Sequence, residues 1–350
     1  MQNKWYKWIV LFIVQWMVWK LLFQFSTFID FWFNYPYQLY YKIIHSITSG
    51  VTIPMGEIFY GLFIIFILFV FIQCIRSQSY RYSLNLCFKV FTYILLWYNS
   101  VWGFMYYKEN FIVEKQEINP EILKELYCEA LEQAIYHRES FNASHQPIKF
   151  KVSTNDILSE FGTEQYAIQH EKWIKNYHFI EQPIVKLSFI SSLMNHLGIL
   201  GYYNPFSIES NINRNNTDLK HAYTINHELA HQMGFSSENE ANFIAYYLSH
   251  QSKFSEVVYA ANYKLMFSIL SALSLADPLF VEFQLNQLPE SIQNDRKGEI
   301  KYYQQFEGKT SEVFSEMNNQ FLKANNQEGI ITYSKYIDLV YYYKTKKANP

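Results

Sequence analysis

The sequence predicts an α+β protein, mostly helical, in which three N-terminal transmembrane helices precede a water-soluble domain. Long uncharged apolar runs fill the first third of the 350 residues, although the mean hydropathy of the whole chain is only -0.13. After Lys108, apolar residues recur at helical spacing among charged and amide side chains. Short apolar runs beside turn residues indicate a small sheet in the same part of the chain.

The predicted transmembrane helices cover residues 8–25, 58–75 and 84–106. The second segment is uncharged and close to the roughly 20 residues that cross a hydrocarbon core. The other two carry single lysines, Lys20 and Lys89, near one end, where a long side chain can reach the headgroups. These segments divide the chain into a membrane anchor, residues 1–107, and a domain over residues 108–350.

The distribution of cations predicts the orientation of this anchor. Lys4 and Lys7 precede the first segment, and Arg76, Arg81 and Lys89 lie between the second and third or at their edges. Because cytoplasmic loops are enriched in Lys and Arg, both regions are expected in the cytoplasm. Three crossings would then make the chain a multi-pass protein of a bacterial inner (cytoplasmic) membrane, with its N-terminus cytoplasmic and its large domain extracytoplasmic.

In the second domain, the sequence predicts one amphipathic helix over residues 120–137, which begins with proline and early acids. Short strands are predicted at residues 149–153 and 184–188 and on both sides of Asn204-Pro205. The turn at residues 201–206 is either an ordinary hairpin or an exposed strand edge that could hold an extended peptide.

Composition limits the partners and metal chemistry. The net charge of -2 provides no basic surplus for a phosphate backbone, so nucleic acid is not expected as a partner. Cys74, Cys87 and Cys128 lack CxxC spacing, which argues against a thiolate zinc site. A metal would therefore be held by imidazole and carboxylate groups. The sequence favours no oligomeric state.

The motif with the clearest chemistry is His227-Glu228-Leu229-Ala230-His231, an HExxH sequence. Residues four apart lie on one face of a helix, so His227 and His231 can bind one ion. Zn²⁺ held there would make a water acidic near neutral pH, and Glu228 is placed to accept its proton and pass it to a leaving amine. Glu228 is therefore the predicted catalytic residue.

The third metal ligand is expected from the segment after this helix. Gly234 can end the helix in a left-handed turn, after which Ser236 or Ser237 can cap a second helix that begins near Glu238. Glu238 and Glu240 are both candidates. Asn242 stands one turn after Glu238, where it could orient a histidine ligand, whereas Ser237 and Glu240 have the spacing of a capping box. This favours Glu238 and leaves Glu240 as the alternative.

The donor that would stabilise a tetrahedral oxyanion is left open by the sequence. The candidates near the motif are His221, His250, Tyr246, Tyr247, Tyr259 and Tyr263.

Over nearly its full length the chain resembles a bacterial membrane-anchored family, domain of unknown function 3810, whose members have three N-terminal spanning segments and a zincin-like domain. The likeness is carried by Tyr35-Pro36, Pro54-Met55-Gly56-Glu57, Trp102-Gly103, Tyr106-Tyr107, Gly201 to Phe206 and His227 to Phe243. The family implies a zinc peptidase fold without a known substrate.

The pattern HExxHxxG followed by ExEANF is also similar to the gluzincins. In that group a glutamate on the next helix, four residues before Asp or Asn, is the third ligand. The resemblance gives these roles to Glu238 and Asn242. A metzincin would place its third ligand at Ser237, which is neither His nor Asp.

Together these observations predict a membrane-anchored zinc endopeptidase that hydrolyses envelope proteins or peptides. Its partners would be a peptide or protein substrate and the lipid bilayer. The alternative is a catalytically silent zincin-fold scaffold or sensor of the envelope, against which the intact Glu228 argues. A transporter subunit is a further rival, although Lys20 and Lys89 are the only charges within the predicted spans.

Overall fold

The computed structural model describes residues 6–77, 79–112, 118–141, 147–329 and 335–348. It divides the chain into two compact units. Unit 1 comprises Met1–Glu109 and Asn204–Glu209, and unit 2 comprises Asn110–Tyr203 and Ser210–Pro350. The chain is mostly helical with few strands, as the α+β prediction requires.

Unit 1 is made of helices. They are α1 Lys7–Leu22, α2 Ser26–Trp32, a π-helical segment Phe33–Tyr37, α3 Gln38–Thr48, α4 Met55–Arg76, α5 Tyr80–Val101 and a 3₁₀ segment Gly103–Tyr107. An edge-to-face cluster of aromatic rings, including Trp19 and Phe104 with centroids 4.7 Å apart, packs the first helices against the last segment.

The prediction of three membrane spans is wrong for the described residues. Helix α4 alone is long and apolar enough to cross a membrane. The helical segments Lys7–Leu22 and Ser26–Thr48 could form only a broken span together, because they are bent by 102° at the break between them. Helix α1 has 16 residues, and α5 combines Arg81 and Lys89 with several tyrosines and amides, which lower its hydropathy.

Helices α4 and α5 form an antiparallel hairpin. The sulfur atoms of Cys74 and Cys87 are 4.0 Å apart where α4 ends and α5 begins. The rings of Phe59 and Trp97 are 5.1 Å apart at the opposite ends of these helices. The chain therefore leaves α5 beside the start of α4.

The short segment Asn204–Glu209 completes unit 1. The buried carboxylate of Glu209 accepts hydrogen bonds from the N–H groups of Met55 and Gly56, at 3.1 and 2.7 Å. It thus satisfies free amides in the first turn of α4 and places negative charge at the helix N-terminus. Phe206 packs on Trp97, with centroids 4.8 Å apart.

Unit 2 contains the remaining elements. They are α6 Pro120–Glu139, α7 Thr154–Ile168, β1 Val185–Leu187, α8 Ser191–Leu197, β2 Gly201–Asn204, β3 Glu209–Ile212, α9 Asp218–Gln232, α10 Glu238–His250, α11 Ser255–Leu273, α12 Pro278–Gln287, α13 Glu290–Gln304, α14 Lys309–Ala324 and α15 Tyr336–Ala348. The strands form one sheet in the order β1-β3-β2, with β1 and β3 parallel and Val185 opposite Ser210. Strand β2 is thus an edge strand.

Helix α9 lies in the core of unit 2. Its residues Ile225 and Leu229, and Met233 just after it, are fully buried, as their spacing predicts. Helix α10 packs against α9 and α15, and α11 packs along α6. The motif helix is therefore held on several sides by apolar contacts, each large side chain contributing about 2 kcal/mol of burial energy.

The predicted helix at residues 120–137 is confirmed as α6, whose first turn is capped by the side chain of Asn119. The predicted strand at residues 149–153 is wrong. The N–H of Phe150 donates to the carboxylate of Asp218, and Ser153 caps α7 through a capping box with Asp156. The Asp218 and Asp156 carboxylates thus accept from the backbone N–H groups of Phe150 and Ser153, which a β-ladder would use.

Candidate metal centre

The two histidines of the HExxH motif lie on one face of α9. His227 and His231 are four residues apart, and their ring centroids are 4.8 Å apart with the planes at 86°. Two nitrogen donors therefore face the same small volume, as the helical period requires.

A tight turn returns the chain to this face. Gly234 has φ of +98°, a backbone conformation that glycine adopts without steric cost. The N–H of Gly234 donates to His231 O at 2.9 Å and the N–H of Phe235 donates to Ala230 O at 3.1 Å, which closes the helix end. Helix α10 then begins at Glu238, so the third donor comes from its first residue.

Glu238 completes a three-residue cluster with the histidines. Its Oε2 atom lies 3.2 Å from His227 Nε2 and 3.8 Å from His231 Nε2. One ligand atom from each of the three residues lies within 4.8 Å of the others. Ligand atoms about 2.0–2.2 Å from a tetrahedral zinc ion would be about 3.3 Å apart, so small side-chain adjustments would fit this donor set to the metal.

The orientation of His231 is set by the backbone. Its Nδ1 lies 2.6 Å from the carbonyl oxygen of Phe235. A proton on Nδ1 can donate to that oxygen, which leaves the Nε2 lone pair directed at Glu238 and available to a metal. In the described part of the chain, His227 Nδ1 is buried without a hydrogen-bond partner.

The charges of the three side chains favour positive charge at the centre of the cluster. Burial lowers the pKa of His231, but Glu238 outweighs that effect and raises it to about 9. Burial raises the pKa of Glu238, and the two imidazoles outweigh it and hold that pKa well below its usual range. Burial lowers the pKa of His227 despite the same carboxylate. A divalent ion held by the three side chains would likewise neutralise the carboxylate.

Glu228 lies beside the cluster and is 4% exposed. Burial raises its pKa to about 8, an effect that His231 and the N–H of Tyr203 oppose. Among the described residues its Oε2 atom has no hydrogen-bond partner. A buried carboxyl group with one unpaired oxygen and a raised pKa suits a residue that accepts and returns a proton.

Strand β2 approaches Glu228 closely, a contact that no pattern in the sequence indicates. A Cβ atom at Gly201 would lie 2.9 Å from Glu228 Oε1 and 2.8 Å from Thr224 Cγ2. Glycine therefore permits the strand to press against α9. The hairpin prediction at residues 201–206 identified the segment but not this role.

The other predicted site residues lie differently. Glu240 is not a member of the three-residue cluster. The predicted capping box is wrong because Ser237 makes no side-chain cap bond to α10 and its hydroxyl donates to Asn239 instead. Asn242 is buried and its backbone carbonyl accepts from the hydroxyl of Tyr223. Its contact with a histidine ligand stays a prediction.

Most candidate oxyanion donors have partners elsewhere. His221 pairs with Thr154 at 2.9 Å, Tyr247 donates to Glu171, and Tyr259 donates to Asp295. Tyr246 is fully buried and stacks on His250. Tyr263 lines a cavity that also contains Lys264.

The fold and cluster define a mostly helical protein with one apolar helix that could span a membrane and a candidate centre of two histidines and one glutamate. A family model described as "Protein of unknown function (DUF3810)" matches residues 32–341, and the chain belongs to this family. No curated protein and no solved structure matches the chain.

Proposed function

We propose that this protein is a membrane-anchored zinc peptidase of the gluzincin type. The observation that carries the proposal is the convergence of His227, His231 and Glu238 within 4.8 Å, beside the buried Glu228. Two imidazoles and one carboxylate are the donor set of many catalytic zinc sites, which keep a fourth position for solvent or substrate. The HExxH sequence provides the matching general base.

In this proposal the three ligand side chains hold the ion and the chain supplies the proton transfers. Zinc in such a site acts as a Lewis acid that polarises a carbonyl group and makes solvent more acidic. Glu228 accepts a proton from the attacking water as the oxygen of that water bonds to the carbonyl carbon. It then donates that proton to the amide nitrogen as the C–N bond breaks. The Phe235 carbonyl keeps His231 in the required tautomer.

The proposed location is an extracytoplasmic face of a bacterial inner membrane. Arg76 ends the apolar helix α4 and Arg81 follows it, and these cations favour a cytoplasmic location for that end. The antiparallel packing of α4 and α5, shown by the Cys74–Cys87 and Phe59–Trp97 contacts, returns the chain to the side where α4 starts. In the proposed topology the chain after α5 therefore begins outside the cytoplasm.

The decisive experiment compares the zinc content and peptide hydrolysis of the full-length protein in detergent with those of Glu228→Gln. We expect the variant to retain zinc but to lose hydrolysis of fluorogenic peptides by about 10²–10⁴-fold, since its amide cannot accept a proton. Glu290→Gln, at an exposed position in α13, is the matched control and should cleave like wild type.

Equal hydrolysis by wild type and Glu228→Gln would refute the enzymatic proposal. Bound zinc without hydrolysis in either protein would favour the alternative, an envelope scaffold or sensor that uses the same fold.

A further inference from the structure

Unit 2 also has a cavity of about 560 Å³ that is open to solvent. This volume lies within the range of small-molecule sites, roughly 300–1,000 Å³. Its lining combines cationic, polar and apolar side chains from α9, α11 and α13, including Lys220, Tyr263, Lys264, Phe267, Arg296 and Glu299.

The cavity has more positive than negative charge. Three cations line it, and the one lining carboxylate, Glu299, pairs with Lys220 at 2.9 Å. In the part of the chain that the structure describes, Lys264 has no carboxylate at salt-bridge distance. Its Nζ atom lies 4.7 Å from the centre of the Tyr223 ring. Two cations are thus left for an anionic ligand.

Arg296 is the second of these cations. Its guanidinium carbon lies 4.2 Å from the centre of the Phe267 ring, which fixes the plane of the group. Its Nη1 atom is buried and has no acceptor among the described residues. A buried N–H of a guanidinium without an acceptor is costly, and a carboxylate or similar oxyanion would satisfy it.

The cavity also lies close to the proposed reaction centre. Lys220 and Tyr223 precede His227 on α9 by seven and four residues, which corresponds to about 10 Å and 6 Å along a helix axis. Lys264, over Tyr223, is near enough to the cluster that Glu238 raises its pKa. That effect is outweighed by burial and by Lys220, which lower the pKa of Lys264 to about 7. An anion in the cavity would restore its charge at neutral pH.

We propose that this cavity binds the free C-terminal carboxylate of a peptide whose scissile bond lies at the metal cluster. The inference rests on the proposed peptidase function and names its substrate class. An extended peptide advances at most about 3.3–3.6 Å per residue, so two residues cover the roughly 6 Å of helix axis between His227 and Tyr223, the ring over which Lys264 lies. Phe267, Leu270, Val281 and Leu285 form apolar walls for the terminal side chains. Hydrolysis would then release about two residues, with water adding to the carbonyl carbon and a proton to the departing amine.

Peptide binding tests the proposal without turnover. The probes are two fluorescein-labelled Ala-Leu hexapeptides that differ only in a terminal carboxylate or carboxamide. Both are titrated into full-length, zinc-loaded Glu228→Gln protein in detergent. We expect the acid to bind about tenfold more tightly than the amide, as one charge-assisted contact provides.

Adding Lys264→Met should abolish this difference, and adding Arg296→Gln should reduce it. Adding Lys297→Met should leave it unchanged, because Lys297 is exposed on α13 and does not line the cavity. Circular dichroism and thermal unfolding identify variants that fail to fold. If Lys264→Met fails to fold, Arg296→Gln still tests the proposal.

Equal affinities for acid and amide, or an acid preference that survives both cavity substitutions, would overturn the proposal. A further contrary result is that inorganic phosphate binds in a Lys264-dependent way while the acid peptide binds no more tightly than the amide. That result would assign the cavity to a free anion and would also overturn the proposal. The two proposals fail separately. If amidated peptides are cleaved in a Glu228-dependent way and the acid is not preferred, the peptidase proposal stands and the carboxylate site is refuted. If the acid is preferred but wild type cleaves no peptide, the cavity binds a carboxylate and the peptidase proposal is refuted.

Discussion

The two units use large apolar side chains in opposite ways. On α4 of unit 1, Leu62 and Ile65 are 62% and 63% exposed. On α9 of unit 2, Ile225 and Leu229 are fully buried. An exposed apolar helix surface is stable in lipid and costly in water, whereas a buried apolar core is what folds a domain in water. The same residue types therefore indicate two different solvents.

The placement of ionisable groups also differs between the two units. Within α4, Glu57 and Arg76 are the charged residues, and each lies near an end. Unit 2 instead buries charges in pairs, such as Arg138 with Asp295 at 2.6 Å. Buried charge is tolerated only when it is paired or bound. The cluster of His227, His231 and Glu238 also combines largely buried groups of opposite charge. Unit 2 is therefore where chemistry is expected.

The largest contrast is expected in thiol labelling. Leu62→Cys and Leu275→Cys would be placed separately in a protein whose Cys74, Cys87 and Cys128 are serine. Both leucines are exposed, at 62% and 95%. In spheroplasts, a membrane-impermeant maleimide should modify Leu275→Cys almost completely and Leu62→Cys only after denaturation, because lipid covers α4.

Rapid labelling of Leu62→Cys would show that α4 is not embedded in lipid. Labelling of Leu275→Cys only after lysis would place unit 2 in the cytoplasm.

A smaller effect is expected where β2 meets α9. Gly201→Ala introduces a Cβ atom 2.9 Å from Glu228 Oε1 and should destabilise the fold by about 1–3 kcal/mol while displacing Glu228. Peptide hydrolysis should fall with zinc content retained. Gly162→Ala is the control, because nothing lies within 4 Å of its added carbon and alanine favours its helix. A Gly201→Ala variant as active as Gly162→Ala would contradict the close approach.

The smallest effect concerns a buried carboxyl group away from the cluster. Burial, together with the charge of Glu160, raises the pKa of Glu164 to about 8 from 4.5. A folded-state pKa above the unfolded value stabilises the protein fully below pH 4.5, and this contribution is lost as pH rises to about 8. Glu164→Gln should therefore unfold like wild type at pH 4.5 and be more stable at pH 6, by about 2 kcal/mol.

Thermal unfolding over this pH range measures the difference, and Glu290→Gln should show none. Parallel curves for wild type and Glu164→Gln would show that Glu164 ionises normally in the folded protein.

The sequence predicted the local features of the candidate site because helical spacing determines them. Four-residue spacing places His227 and His231 on one face, and the glycine at 234 has the positive φ that its position suggested. Helix α10 begins at Glu238, as the cap residues indicated. Each of these inferences needs only neighbouring residues.

The features that could not be predicted from the sequence depend on contacts between distant residues or on small differences in hydropathy. The approach of Gly201 to Glu228 and the position of Lys264 over Tyr223 join residues far apart in the chain. The third predicted span was wrong because polar residues in α5 bring it below the hydropathy that α4 reaches. The strand predicted at residues 149–153 does not form, and the N–H of Phe150 donates to the Asp218 carboxylate instead. No local pattern indicates this contact.

Zinc binding by paired glutamine variants tests the central claim most directly. Full-length wild type should bind one zinc ion per chain, measured by elemental analysis and competition with a chromophoric chelator. Glu238→Gln should weaken binding by at least about 100-fold, since it removes a ligand rather than a supporting contact, and Glu240→Gln should change it only a few-fold. A wild-type protein without zinc, or a pair in which Glu240→Gln loses the metal and Glu238→Gln keeps it, would contradict the centre described by His227, His231 and Glu238.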